Sequence, residues 1–141
     1  MKKRIKLSIL AADSKFYEGE CEGLIVPTTD GQFGILPGHC EIIAAVTPGK
    51  LSYTLPGGEI KYAAVSEGLL KIEGDHVLIL VDSAERPEDI DANRAQRAAD
   101  AAKEELLRKR SHQEYQTAQA HLARAINRLR VRENFFKSKN I

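Results

Sequence analysis

The chain has 141 residues and 15.6 kDa, with 21 Lys and Arg against 20 Asp and Glu, for a formal net charge of +1. That length supports one compact domain or a small domain with an appendage, and a globule of this mass buries about 68% of the surface its unfolded chain exposes. The even charge argues against generic nucleic-acid binding, and no apolar run approaches the ~20 residues that span a bilayer.

The start, Met1-Lys2-Lys3-Arg4-Ile5-Lys6, is basic, but Lys6, Ser8 and Asp13 break the apolar stretch that a secretory signal needs. The reading is a cytosolic protein. Ile5, Leu7 and Ile9 alternate with Lys6 and Ser8, which predicts a half-buried strand. Glu18, Glu20 and Glu22 share one strand face. A carboxylate row can hold a cation, but a solvated sheet face is the better reading. Cys21 and Cys40 lack metal-ligand spacing and read as reduced, buried thiols. His39, His76, His112 and His121 are scattered, so no metal site is expected.

Further along, Leu51, Tyr53 and Leu55 alternate with polar residues, as do Ile60 and Tyr62, with Pro56-Gly57-Gly58 between them. This predicts a hairpin. Leu70 and Ile72 precede Gly74-Asp75, and residues 77–81 read as a strand buried on both faces. Turn signals every ten or so residues indicate a small β-sandwich or flattened barrel.

The chain then changes character. All ten glycines lie at or before Gly74, and all five prolines at or before Pro87. Residues 1–84 carry 8 basic and 11 acidic side chains, while 85–141 carry 13 and 9. Loss of the residues that punctuate strands and weaken helices marks a boundary. The expected fold class is therefore a β-sandwich followed by an α-helical hairpin, with domains at 1–86 and 87–141. Ala95, Ala98, Ala99, Ala102 and Leu106 form one helical stripe, and Tyr115, Ala118, Leu122, Ile126 and Leu129 form a second. Polar Lys109-Arg110-Ser111-His112 is the expected turn, and a short connection makes the helices antiparallel. A face made mostly of alanine gains little per residue, so the hairpin is expected either to be loosely held and capable of rearranging or to sit as a static helical cap, two readings of equal weight.

Catalytic apparatus is missing from the pattern. Gly49-Lys50-Leu51 is no phosphate-binding loop, no serine sits in a nucleophile elbow, and Gly31-Gln32-Phe33-Gly34 lacks the Rossmann context. The arginines say more. Arg124, Arg128 and Arg132 stand at i, i+4 and i+8, a spacing at which like charges cost about 0.2–0.5 kcal/mol per pair. With the turn near residues 111–112, antiparallel partners have numbers summing to about 223. Arg94, Arg97, Arg124 and Arg128 then share one height, near Glu85 and Asp91. Guanidinium groups so gathered suit a polyphosphate, whose oxygens match their forked donors, and a solvated basic tail is the plainer alternative. Nucleic acid is the weaker reading, since Glu104, Glu105 and Glu114 precede the basic stretch and the first module is acidic.

Three stretches resemble the epsilon subunit of the bacterial rotary ATP synthase. They are Thr28-Thr29-Asp30-Gly31-Gln32-Phe33-Gly34-Ile35-Leu36-Pro37-Gly38-His39, residues 68–81 followed by Ala84-Glu85, and Ile90-Asp91-Ala92-Asn93-Arg94-Ala95. The resemblance implies a non-catalytic subunit of a proton-translocating enzyme, peripheral on the cytoplasmic face of the bacterial cell membrane. It implies a sandwich that touches the gamma subunit and the c ring, through Asp30, Gly31, Gln32 and Phe33 toward the ring and His39 near gamma. It also implies a helical hairpin that folds down or extends toward the alpha and beta subunits to inhibit ATP hydrolysis. Some members bind ATP as a regulatory ligand, with no metal required. The matching residues here are Ile90, Asp91, Arg94 and Ala95, with Glu85 upstream and Arg124 and Arg128 on the second helix. The basic residue seven positions beyond the motif arginine is Ala101 here, which leaves Arg97 or Lys103 to substitute. A free-standing nucleotide sensor is the alternative, and co-purification with a large complex separates the two.

Overall fold

The computed structural model describes residues 4–38, 41–108 and 111–139, the last three by backbone alone. Two compact units divide the chain, Met1–Arg86 and Pro87–Ile141. The first holds ten strands: β1 (Ile5–Ala11), β2 (Lys15–Cys21), β3 (Gly23–Thr28), β4 (Gly31–Ile35), β5 (Ile42–Val46), β6 (Gly49–Thr54), β7 (Ile60–Val65), β8 (Gly68–Glu73), β9 (His76–Val81) and β10 (Ala84–Glu85). Their lateral order is β10-β7-β6-β3-β5-β8-β9-β1-β2, with β4 added on β3.

Alternation in the sequence is what folds this unit. Ile5, Leu7 and Ile9 turn inward from β1 and meet Leu70, Ile72, Val77 and Ile79 in one core with Leu51, Val26 and Ile35. β6 and β7 pair antiparallel, Leu51 opposite Ala63 and Tyr53 opposite Lys61. The Leu55 N–H to Glu59 carbonyl bond (2.7 Å) and the Gly58 N–H to Leu55 carbonyl bond (2.9 Å) close their turn.

β3 joins the two halves of the sheet. Its first residues pair with β6, its last residue Thr28 pairs with Val46 of β5, and β4 lies along it from Leu24 to Thr28. Pro27 sits where β3 changes partner, a place suited to a residue without an N–H, and its carbonyl accepts the Thr47 N–H at 3.1 Å.

One expectation is corrected in β9. Val77, Ile79 and Val81 are buried, whereas Leu78 is half-buried and Leu80 is 44% exposed. The strand has close neighbours on both edges, β8 and β1, while Leu80 on its second face stays open to solvent.

The second unit begins with a 3₁₀ turn, Pro87–Asp89, followed by α1 (Ala92–Arg108) and α2 (His112–Lys139), which form the hairpin. Ser111 starts α2 as its N-cap: its Oγ accepts the Glu114 N–H at 3.1 Å and its carbonyl accepts the Tyr115 N–H. Ala95, Ala99 and Ala102 are buried on α1, and Ala118, Ala125 and Val131 on α2. The expected seams therefore shift. Ala98, Tyr115 and Ile126 are exposed, and Ala125 takes the place given to Ile126. Helices approach as closely as the side chains between them allow, so a seam opposite alanines selects small residues and turns large ones outward.

No helix among the described residues is long and apolar enough to cross a membrane.

Candidate functional site

The turn before α1 is fixed by local chemistry. Asp91 is the N-cap: its Oδ1 accepts the Arg94 N–H at 3.1 Å and its carbonyl accepts the Ala95 N–H at 3.0 Å. The carboxyl is pulled below the ordinary range, chiefly by the Arg94 N–H. The Asn93 N–H and the positive charges of Arg97 and Arg94 add to this, and burial opposes it. Ile90 and Ala95 are buried on either side of this cap, while Arg94 and Arg97 reach solvent.

On α2, Arg124, Arg128 and Arg132 are all half-buried. Arg132 Nε donates to the Ile90 carbonyl at 3.0 Å, which joins the last third of α2 to the segment that opens α1. With α1 and α2 antiparallel, Asp91, Arg94 and Arg97 lie at the start of α1, away from the turn, and Arg124 and Arg128 lie near the middle of α2. Glu85 belongs to the other unit, on β10, where it pairs with Ala64.

Arg132 is the residue that sequence reasoning counted among the stacked arginines but gave no task. Its signal was available, since 132 is the number that complements Ile90 under an antiparallel sum near 223.

At the opposite end of the hairpin lies a cavity of about 390 Å³, lined by Glu105, Arg108, Ser111, Glu114, Tyr115 and Thr117 among others. None of the expected nucleotide residues lines it.

In the sandwich, the candidate contact loop is a tight hairpin between β3 and β4. Thr28 Oγ1 donates to the Gly31 carbonyl at 2.8 Å and accepts the Asp30 N–H at 3.3 Å. Gly31 has φ of 109°, a conformation that side chains rarely adopt. Asp30 and Gln32 are exposed, and Phe33 packs its ring against the core. Gly31, Gln32 and Phe33 already belong to β4, so the turn itself is Thr29-Asp30. Gly34 is an ordinary strand residue opposite Ile25. His39 and Cys40 lie outside the described residues.

A second surface was missed in the sequence. Ala45, Leu69, Leu80 and Leu10 stand in register across β5, β8, β9 and β1. Leu69 is 53% exposed, and Ile43 on the same side of β5 is 72% exposed. The signal was the unbroken apolar run 77–81, which was read as burial. The carboxylate row behaves as a solvated face: Glu20 pairs with Arg4 at 2.9 Å, Glu18 pairs with Lys15, and Glu22 accepts the Gly57 N–H. Burial pushes the Cys21 thiol up, so it is a poor nucleophile.

Residues 4–87 match the family described as "ATP synthase, Delta/Epsilon chain, beta-sandwich domain", and residues 88–133 match "ATP synthase, Delta/Epsilon chain, long alpha-helix domain". The chain belongs to the ATP synthase delta/epsilon family. It is 44% identical over 123 residues to the ATP synthase epsilon chain of Ruminiclostridium cellulolyticum, covering 87% of this chain and 91% of that relative. To the epsilon chain of Caldanaerobacter subterraneus subsp. tengcongensis it is 40% identical over 135 residues, covering 96% and 98%. Among solved structures, a chain of the Euglena gracilis mitochondrial ATP synthase superposes with a TM-score of 0.75 at 20% identity, covering 88% of this chain and 78% of that one, a likeness of fold. Epsilon chains are non-catalytic subunits of the ATP synthase complex, and this member of the family is read as one.

Proposed function

We propose that this chain is the epsilon subunit of the central stalk of a proton-translocating ATP synthase, peripheral on the cytoplasmic face of a bacterial membrane. It couples the catalytic head to the c ring, and its hairpin senses ATP. The β3–β4 turn, with Asp30 and Gln32 at its tip, meets the c ring. The exposed apolar row through Leu69 and Leu80 docks on gamma, as an uncovered apolar face suits a permanent partner.

The observation that supports the sensor reading is the bond from Arg132 to the Ile90 carbonyl, which joins the arginine-bearing stretch of α2 to the turn capped by Asp91. ATP binds across this end through Arg94, Arg124 and Arg128, with Arg97 flanking. Binding holds the hairpin folded down. When ATP is scarce the helices extend toward alpha and beta and obstruct hydrolysis. The ligand shifts that balance only by its preference for the closed form.

Calorimetric titration of the full chain with ATP tests the reading. Saturable binding is expected, and Arg128→Ala should weaken it about tenfold or more, the worth of one charge-assisted hydrogen bond. No saturation at millimolar ATP removes the sensor role and leaves the coupling role standing.

A further inference from the structure

The segment that leads into α1 and the last third of α2 are joined by one side chain. Arg132 donates Nε–H to the Ile90 carbonyl at 3.0 Å, and its Cζ lies 4.6 Å from the centre of the Phe136 ring, one helical turn further on. Phe136 in turn meets Phe135 edge to face, with ring centres 5.4 Å apart. The guanidinium is thus held from two directions: its edge donates and its face stacks.

What it holds matters. Three oxygens in succession fix the start of α1: the Ile90 carbonyl, the Asp91 carboxylate and the Asp91 carbonyl. The last two take N–H groups from α1 itself. The bond to Ile90 reaches this turn from α2, across 42 residues of chain. Local capping decides where α1 starts, but it says nothing about the height at which α1 lies along α2. A seam of alanines fixes that height weakly, because small side chains offer shallow ridges and grooves.

We propose that Arg132 is the positioning residue of the candidate nucleotide segment. By clamping the Ile90 carbonyl while stacked on Phe136, it holds the start of α1 against the last third of α2 and so sets where Arg94 lies along that helix. Its consequence for ATP rests on the reading above, whereas its geometry belongs to the hairpin alone. Lysine keeps the charge but has neither the planar fork nor the flat face, so it does not replace arginine here.

The test compares the full chain with Arg132→Gln, Arg132→Lys and Phe136→Leu, by amide hydrogen exchange without nucleotide and by calorimetry with ATP. Arg132→Gln should speed exchange over residues 95–99 about tenfold, the effect of losing one charged hydrogen bond. Arg132→Lys should restore less than half of the lost protection. Phe136→Leu should speed exchange by about threefold, a stacking contribution alone. Amides of β1 and β9 should not change in any variant. Unchanged exchange in Arg132→Gln, or full rescue by lysine, overturns the proposal. If Arg132→Gln unfolds the hairpin outright, Phe136→Leu decides: intermediate exchange supports the clamp and unchanged exchange overturns it. ATP binding should weaken in parallel with exchange, and faster exchange with undiminished ATP affinity also overturns the positioning role. A parent chain that binds no ATP removes the nucleotide reading, and the exchange measurements then judge Arg132 by themselves.

Discussion

The carboxylate of Asp91 accepts the backbone N–H of Arg94 at 3.1 Å, so the acid and the base of the same short motif are linked through the main chain of α1. Asp91 therefore has a structural task that is complete without any ligand. Its side chain opens the helix that carries Arg94 and Arg97.

That task carries a pH dependence. The folded state holds the Asp91 carboxyl below its ordinary value, mainly through the Arg94 N–H. The stabilisation is fully present above the unfolded carboxylate value of about 3.9 and disappears as pH falls through the lower folded value. Exchange of the first-turn amides of α1 should accelerate below about pH 4. Asp91→Asn, which keeps a capping oxygen, should retain the helix and abolish that acid step.

Gly68 should tolerate no side chain. A Cβ built there lies 1.9 Å from the Leu80 carbonyl oxygen and 2.7 Å from the Val81 Cα, both backbone atoms that cannot swing aside. Gly68→Ala should destabilise the sandwich by about 3 kcal/mol, at the upper end for overpacking, as read by denaturant unfolding.

Thr28 closes the β3–β4 turn with one hydroxyl that both donates and accepts. Thr28→Val keeps the shape and removes the hydroxyl. It should lower stability by about 1–2 kcal/mol. Assembly with a c ring should weaken too, because the tip that presents Asp30 and Gln32 loosens.

Leu69 tests the apolar row. Leu69→Lys places a charge on a residue already half in solvent, so the isolated chain should keep its stability to within about 0.5 kcal/mol. Binding to gamma, measured by co-purification, should fall sharply. Retained binding would move the docking surface elsewhere.

Legibility followed the range of the interactions. The hairpin at Pro56-Gly57-Gly58 could be read from sequence because its strands, turn residues and register lie within the seventeen residues from Gly49 to Val65. Both helices could be read as well, because periodicity and the absence of glycine and proline act locally. The faces of β9 and α2 could not. Whether Leu80 is covered depends on strands and layers distant in sequence, and whether Ile126 or Ala125 enters the seam depends on the partner helix. At the candidate site, sequence spacing predicts arginines gathered toward one end of the hairpin. The cap made by Asp91 was also within reach, since Asp before a helical run is an N-cap signal, whereas the bond from Arg132 goes to a main-chain carbonyl that carries no sequence signal of its own.

β3 also has a mechanical meaning. It is flanked by β4 on one edge and by β6 and then β5 on the other, so a sideways push on Gln32 is shared at once among three neighbouring strands. Hydrogen bonds loaded in shear along a ladder yield together, whereas bonds at a free edge peel one by one. A turn rooted in such a strut passes force into the body of the domain with little bending.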